Sequence, residues 1–201
     1  QMKEFPNVPT LMICDMSSDI FSRKIDVSKF DLIYAGAQKN MGPAGTTLVI
    51  VKNKTLAKTG RHIPTMLDYN THISKNSMFN TPPVFPIYVS MLTLQWLKDN
   101  GGVEWIENIN QQKADLLYHE IDRNPLFEGA ANKEDRSNIN VTFLLTDESK
   151  EEQFNKMWNE AGINGLKGHR SVGGYRASMY NALPLESVQV LVDVMLKLAK
   201  N

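Results

Sequence analysis

The sequence predicts a two-part α/β protein, a strand-rich sheet followed by an α+β unit. Three observations carry that prediction. Short apolar runs joined by small-residue loops fill the first stretch, helical spacing takes over near Ile87, and strict strand alternation returns at Ile139. The expected division falls between residues 1–98 and residues 99–201.

Leu11-Met12-Ile13-Cys14 is a short apolar run stopping at Asp15, as a buried parallel strand would. Leu32 to Gly36 is a second strand, and Thr46 to Val51, rich in β-branched residues, a third. The intervening Ala35–Gly45 stretch is mostly Gly, Ala and Pro with few bulky side chains, a turn region that lets something approach the backbone closely. Tyr69 to Pro86 is polar and proline-punctuated, which predicts a long irregular loop of functional or interfacial use. Ile87 to Leu97 reads as an apolar helix stopped by Asn100-Gly101-Gly102. Val103 to Ile121 carries Ile106, Ile109, Leu116, Leu117 and Ile121 as one stripe of an amphipathic helix.

In the second part, Ile139, Val141, Phe143 and Leu145 alternate as in a strand. Ser149-Lys150-Glu151-Glu152 fits a capping box, and the helix it opens should end at Gly162. Ile163 to Lys167 reads as a short strand. A closing helix presents Val188, Leu191, Val192, Met195 and Leu198 inward.

Composition narrows the function classes. The 201 residues carry 22 Lys plus Arg and 22 Asp plus Glu, a net charge of 22 − 22 = 0, which argues against a nucleic-acid binder that needs a basic surplus. No apolar run approaches the roughly 18 residues of a membrane helix. The single Cys14 excludes an internal disulfide and points to a reducing, cytoplasmic setting. The chain opens on Gln1 and reaches a strand within a few residues, which suggests a fragment of something longer. His62, His72 and His119 have no metal-ligand spacing with Cys14 or one another, so no metal site is expected.

Three features could carry chemistry. Lys39 follows a strand, between Gln38 and Asn40, in a loop with room for a flat ligand; partial desolvation there would make it a usable nucleophile. The alternative is a solvated loop lysine. Asp15 ends its strand where α/β proteins place ligand-facing groups, although an N-cap explains it equally well. The two lie at the ends of neighbouring strands and so on one edge of the sheet. His169, Arg170 and Arg176 surround Gly173-Gly174 and suit a carboxylate or phosphate dianion, or form only a basic surface hairpin.

Asp15-Met16-Ser17-Ser18-Asp19 and Tyr34-Ala35-Gly36-Ala37-Gln38-Lys39-Asn40-Met41-Gly42-Pro43-Ala44-Gly45 closely resemble the cofactor region of the phosphoserine aminotransferases. Phe79-Asn80-Thr81-Pro82-Pro83 and the stretch from Gly168 to Asn181 resemble two further signatures of that family, in the same order.

The resemblance implies the aspartate-aminotransferase-like fold, an incomplete large domain followed by a small α+β domain, and a homodimer using pyridoxal 5′-phosphate (PLP). The implied reaction converts 3-phosphohydroxypyruvate and glutamate to phosphoserine and 2-oxoglutarate, in serine biosynthesis. By the same resemblance, Lys39 holds PLP and shuttles a proton, Asp15 pairs with its ring nitrogen, and Gln38 contacts its phosphate. Asn80 and Thr81 reach the PLP phosphate of a partner subunit, while His169, Arg170 and Arg176 bind substrate phosphate and carboxylate. Only about the second half of a family member is expected here, so the chain alone should bind PLP poorly. Two alternatives stay open: an aminotransferase for an unphosphorylated substrate, and a non-catalytic binding module of the same fold.

Overall fold

The computed structural model describes residues 1–56, 60–169 and 173–200. The chain divides into two compact units, one of Phe5–Asn100 and one of Gly101–Asn201 together with Gln1–Glu4.

The Phe5–Asn100 unit contains a three-stranded sheet, β1 (Ile13–Asp15), β2 (Leu32–Gly36) and β3 (Thr47–Val51), in that spatial order. β1 and β2 are parallel with Asp15 opposite Tyr34, and β3 returns antiparallel with Thr47 opposite Gly36. Met16, Ile20, Phe30, Ile33, Ala35, Ala37 and Met41 form the core of the unit. The expectation of a buried first strand holds on one face only. Leu11 is 62% and Ile13 59% exposed, because the core lies on the opposite side, under Ile33 and Ala35.

The Tyr69–Pro86 stretch is less irregular than its composition suggests. A short helix α1 (Tyr69–Ile73) opens it, with Asp68 accepting a bond from the Asn70 N–H. The next helix, α2 (Val84–Asp99), begins ahead of Pro86, which sits in its first turn, where a missing N–H leaves no intrahelical bond unmade. α2 is apolar around most of its circumference, and Val84, Phe85, Tyr88, Met91 and Trp96 stand exposed.

The Gly101–Asn201 unit holds α3 (Gly102–Arg123), β4 (Phe127–Gly129), β5 (Asn140–Leu145), α4 (Glu151–Glu160), β6 (Tyr175–Ser178) and α5 (Leu185–Leu198). Its strands form an antiparallel sheet in the order β4-β5-β6. Ile106, Leu117 and Ile121 of α3 are fully buried, and so are Val188, Leu191, Val192, Met195 and Leu198 of α5. The same core holds an aromatic cluster, with Phe143 stacked on Tyr175 at 5.3 Å and Phe127 edge-on to Phe154 at 5.2 Å.

Two local expectations change. The cap ahead of α4 is not a Ser149 capping box: Asp147 accepts from the Ser149 N–H and hydroxyl, closing a 3₁₀ turn that runs into the helix. Ile163 to Lys167 is no strand, and only Lys167 makes an isolated bridge, to Tyr175.

Lys113 is a fully buried cation of α3. Its Nζ donates to the carbonyls of Met179, Tyr180 and Leu183, each at 3.1 Å. These bonds pin the turn that follows β6. Burial depresses its pKa from 10.5 to about 8.

Candidate active site

Where β1 ends, Asp15 is exposed and its carboxylate is held by the next turn of chain. Asp15 Oδ1 accepts the Ser17 N–H at 2.8 Å and the Ser17 hydroxyl at 2.6 Å. Ser17 Oγ in turn accepts the Gly36 N–H at 3.0 Å, tying the end of β2 to the same group. The Ser17 hydroxyl, then its N–H, hold the Asp15 carboxyl below its usual range, and the Tyr34 hydroxyl and the Lys39 charge act in the same direction. The Asp15 charge correspondingly raises the Tyr34 phenol.

This turn is not peculiar in itself. The same two-residue closure occurs at Asp26 with Ser28, Asp68 with Asn70 and Asp147 with Ser149. What sets Asp15 apart is its place at the carboxyl end of a parallel strand pair, with a phenol and an ammonium beside it. Among the described residues no helix directly follows Asp15, so its bonds to Ser17 close a turn rather than cap a helix.

Lys39 lies one turn beyond the end of β2. Ala37 N–H donates to Thr46 O at 2.9 Å, and the Met41 and Gly42 N–H groups both donate to Ala37 O. This folds residues 37–42 into a tight turn. Lys39 is half-buried in it, and its Nζ donates to Ser18 Oγ at 3.3 Å. Its neighbour Asn40 is only 4% exposed, with Nδ2 donating to Ser18 O and Ile20 O at 3.1 Å each.

The small residues of the loop have definite packing reasons. A Cβ on Gly42 would stand 2.8 Å from Ser90 Oγ and 3.2 Å from the Ser90 backbone, so α2 rests directly on the Lys39 turn. A Cβ on Gly36 would stand 2.5 Å from Gln38 Oε1, so the exposed Gln38 folds its amide into the space that glycine leaves.

Asp15 and Lys39 are thus brought together on one edge of the sheet, as their strand positions predict. Asn80 and Thr81 stand exposed on the loop before α2, where Asn80 Nδ2 donates to Thr81 O at 3.1 Å. No hydrogen bond joins them to the Lys39 turn among the described residues.

In the other unit, His169 and Arg176 are both exposed and flank a glycine turn. His169 O accepts the Gly173 N–H at 2.9 Å, and Gly168 N–H donates to Gly174 O at 2.8 Å. Gly168 and Gly173 approach so closely that a Cβ on Gly168 would clash with Gly173 O. Arg176 borders a cavity of about 290 Å³ with Ser178, Ser187, Leu166, Val188 and Leu191. Arg170 lies outside the described residues.

The donor set at Asp15 and Lys39 fits PLP: an amine for an aldehyde, and a low-pKa carboxylate for a ring N–H⁺. Sequence reasoning missed the parts of Ser17, Ser18 and Asn40. An Asp-x-Ser spacing signals the Ser17 contact, whereas no local pattern reveals a bond across 20 or more residues. Among the described residues, no cluster of three or more His, Cys, Asp or Glu could hold a metal, and no helix is long and apolar enough to cross a membrane.

Comparison with known proteins adds independent findings. The family profile described as aminotransferase class-V matches residues 2–191. The phosphoserine aminotransferase of Flavobacterium psychrophilum is 72% identical over 198 residues, covering 98% of this chain and 56% of that protein. The solved phosphoserine aminotransferase from Bacillus circulans subsp. alkalophilus superimposes with a TM-score of 0.94 at 46% identity, over 100% of this chain and 56% of that one. A PLP-bound phosphoserine aminotransferase from Trichomonas vaginalis gives 0.90 at 37%, over 97% and 56%. The chain therefore spans about half the length of the relatives it matches.

Proposed function

We propose, from the premise that the chain belongs to the class-V aminotransferase family, that it is part of a phosphoserine aminotransferase. It has the aspartate-aminotransferase-like fold of the PLP-dependent transferases. The proposed enzyme moves the amino group of glutamate to 3-phosphohydroxypyruvate, giving phosphoserine and 2-oxoglutarate. The observation that carries the reading is that an Asp15 carboxyl held below its usual range ends β1 where the Lys39 charge still reaches it, with Lys39 Nζ bonded to Ser18 of the next turn.

PLP, when bound, supplies an aldehyde for amine exchange and an electron-accepting ring. Ser17 keeps the Asp15 carboxyl ionised and fixes its direction, and that carboxylate would hold a proton on the ring nitrogen. Lys39 Nζ is the amine that holds the cofactor. Once a substrate amine displaced it, the same atom would take the proton from the substrate Cα and hand it on to the carbon that had carried the aldehyde. Gln38, Asn80 and Thr81 offer neutral amide and hydroxyl donors for the cofactor phosphate.

Arg176 offers a planar fork for the carboxylate shared by both amino-acid substrates, and His169 with Arg170 supplies the charge a phosphate requires. The open outer face of β1 and the exposed apolar residues of α2 support the reading of a partial chain and of a homodimer, since an apolar surface of this extent is normally covered.

The test is turnover of 3-phosphohydroxypyruvate with glutamate by the full-length enzyme and by a His169→Ala, Arg170→Ala double variant. Phosphoserine use should fall far more than glutamate use. Equal damage to both, or no glutamate-dependent turnover in the parent, contradicts the assignment.

A further inference from the structure

Resting on the reading that Lys39 carries PLP, we propose that Ser18 and Asn40 are positioning residues that dock the freed Lys39 amine. Asn40 latches the turn after β1, and the Ser18 hydroxyl in that turn receives Nζ whenever it is not bonded to cofactor.

The two neighbours Lys39 and Asn40 grip the same residue from different sides. Lys39 Nζ donates to Ser18 Oγ at 3.3 Å, while Asn40 Nδ2 donates to Ser18 O and to Ile20 O at 3.1 Å. Asn40 is buried, so both carbonyls would lose a desolvated donor without it. The turn it latches needs holding, because Phe21, next to Ile20, sits at φ 59°, a left-handed conformation that a bulky aromatic residue avoids.

The chemistry favours this partner. A lysine side chain released from the cofactor gains many rotamers, and only a few keep Nζ near the substrate carbon. A hydroxyl accepts an N–H without carrying charge. It therefore restricts the amine while favouring the ammonium form far less than a carboxylate in the same place would. A proton-transferring amine must be unprotonated when it acts, so a neutral dock suits its role better than an ion pair.

The experiment uses the full-length, PLP-loaded enzyme as parent, Ser18→Ala, Ser18→Thr, Asn40→Ala and Lys39→Ala. Two readouts are followed: the pH midpoint of the lysine-linked cofactor absorption without substrate, and kcat and KM for glutamate. Loss of one modest hydrogen bond predicts about a 3- to 10-fold fall in kcat for Ser18→Ala, with KM for glutamate unchanged. Ser18→Thr, which keeps the hydroxyl, restores kcat. Asn40→Ala reproduces the fall in kcat, and both Ala variants keep the parent's pH midpoint, because without substrate Nζ is bonded to cofactor and off Ser18.

Parental kcat in Ser18→Ala, or a pH midpoint shifted from the parent's, would overturn the proposal, as would failure of Ser18→Thr to restore kcat. If Asn40→Ala does not fold, the Ser18 pair still decides. Lys39→Ala separates the two levels. Loss of the absorption in Lys39→Ala with an unaltered kcat in Ser18→Ala sinks the dock alone, whereas its persistence in Lys39→Ala sinks the reading of Lys39 and the dock with it.

Discussion

Gly42→Ala is a sharp test of how α2 supports the Lys39 turn. The added Cβ meets Ser90 Oγ at 2.8 Å and the Ser90 Cα and N at 3.2 Å, against an ordinary contact of 3.4 Å or more. The shortfalls are 3.4 − 2.8 = 0.6 Å at the hydroxyl and 3.4 − 3.2 = 0.2 Å at the helix backbone. The first exceeds what packed neighbours yield, so overpacking should destabilise the protein by about 1–3 kcal/mol. Ser90 Oγ is buried and has no hydrogen-bond partner, so Ser90→Ala alone should be neutral or slightly stabilising. It also removes the larger clash, which leaves the double variant only the backbone contact. A double-mutant cycle on urea midpoints at constant m should therefore give a favourable coupling of about 0.5–2 kcal/mol. Strict additivity would refute the reasoning. So would a Gly42→Ala protein as stable as its parent.

Three further outcomes follow from the same structure. Lys113 has its pKa depressed to about 8 from 10.5, so the native state sheds a proton that the unfolded chain keeps. Urea midpoints should then rise with pH between about 8 and 10.5, and Lys113→Met should flatten that rise. Asp122, held at about 2 by the Arg136 fork and Lys133, stabilises fully above its ordinary 3.8 and loses that contribution as pH falls toward 2. Acid titration followed by circular dichroism should lose this segment in Asp122→Asn. The 201-residue chain on its own should bind PLP weakly and turn over little substrate; full-strength turnover by it would contradict the account.

Much of the fold was legible because its elements are strongly periodic. The inner face of α5, Val188 through Leu198, is buried as its spacing requires, and the alternation around Val141 and Phe143 is that of β5. Short or one-sided elements were not legible. β4 has three residues, too few for a period, and the apolar run at Leu11–Cys14 cannot announce that one face lies open. α2 is apolar nearly all round, so its sequence gives a helix without an inner face.

At the candidate site, the strand-end positions of Asp15 and Lys39 followed from strand order alone. The bonds that hold them did not, because Asn40 reaches Ser18 and Ile20 through tertiary folding, and a buried amide looks in sequence like any loop asparagine. The glycines told only that something comes close. The visitor at Gly42 is Ser90 of α2, 90 − 42 = 48 positions away, a distance no local pattern spans.

The most direct test of the central claim is to reduce the PLP-loaded full-length enzyme with borohydride, digest it, and locate the phosphopyridoxyl label by mass spectrometry. The account predicts the label on Lys39 and its disappearance in Lys39→Ala. A label on another lysine, or none on a protein that has bound PLP, would contradict it.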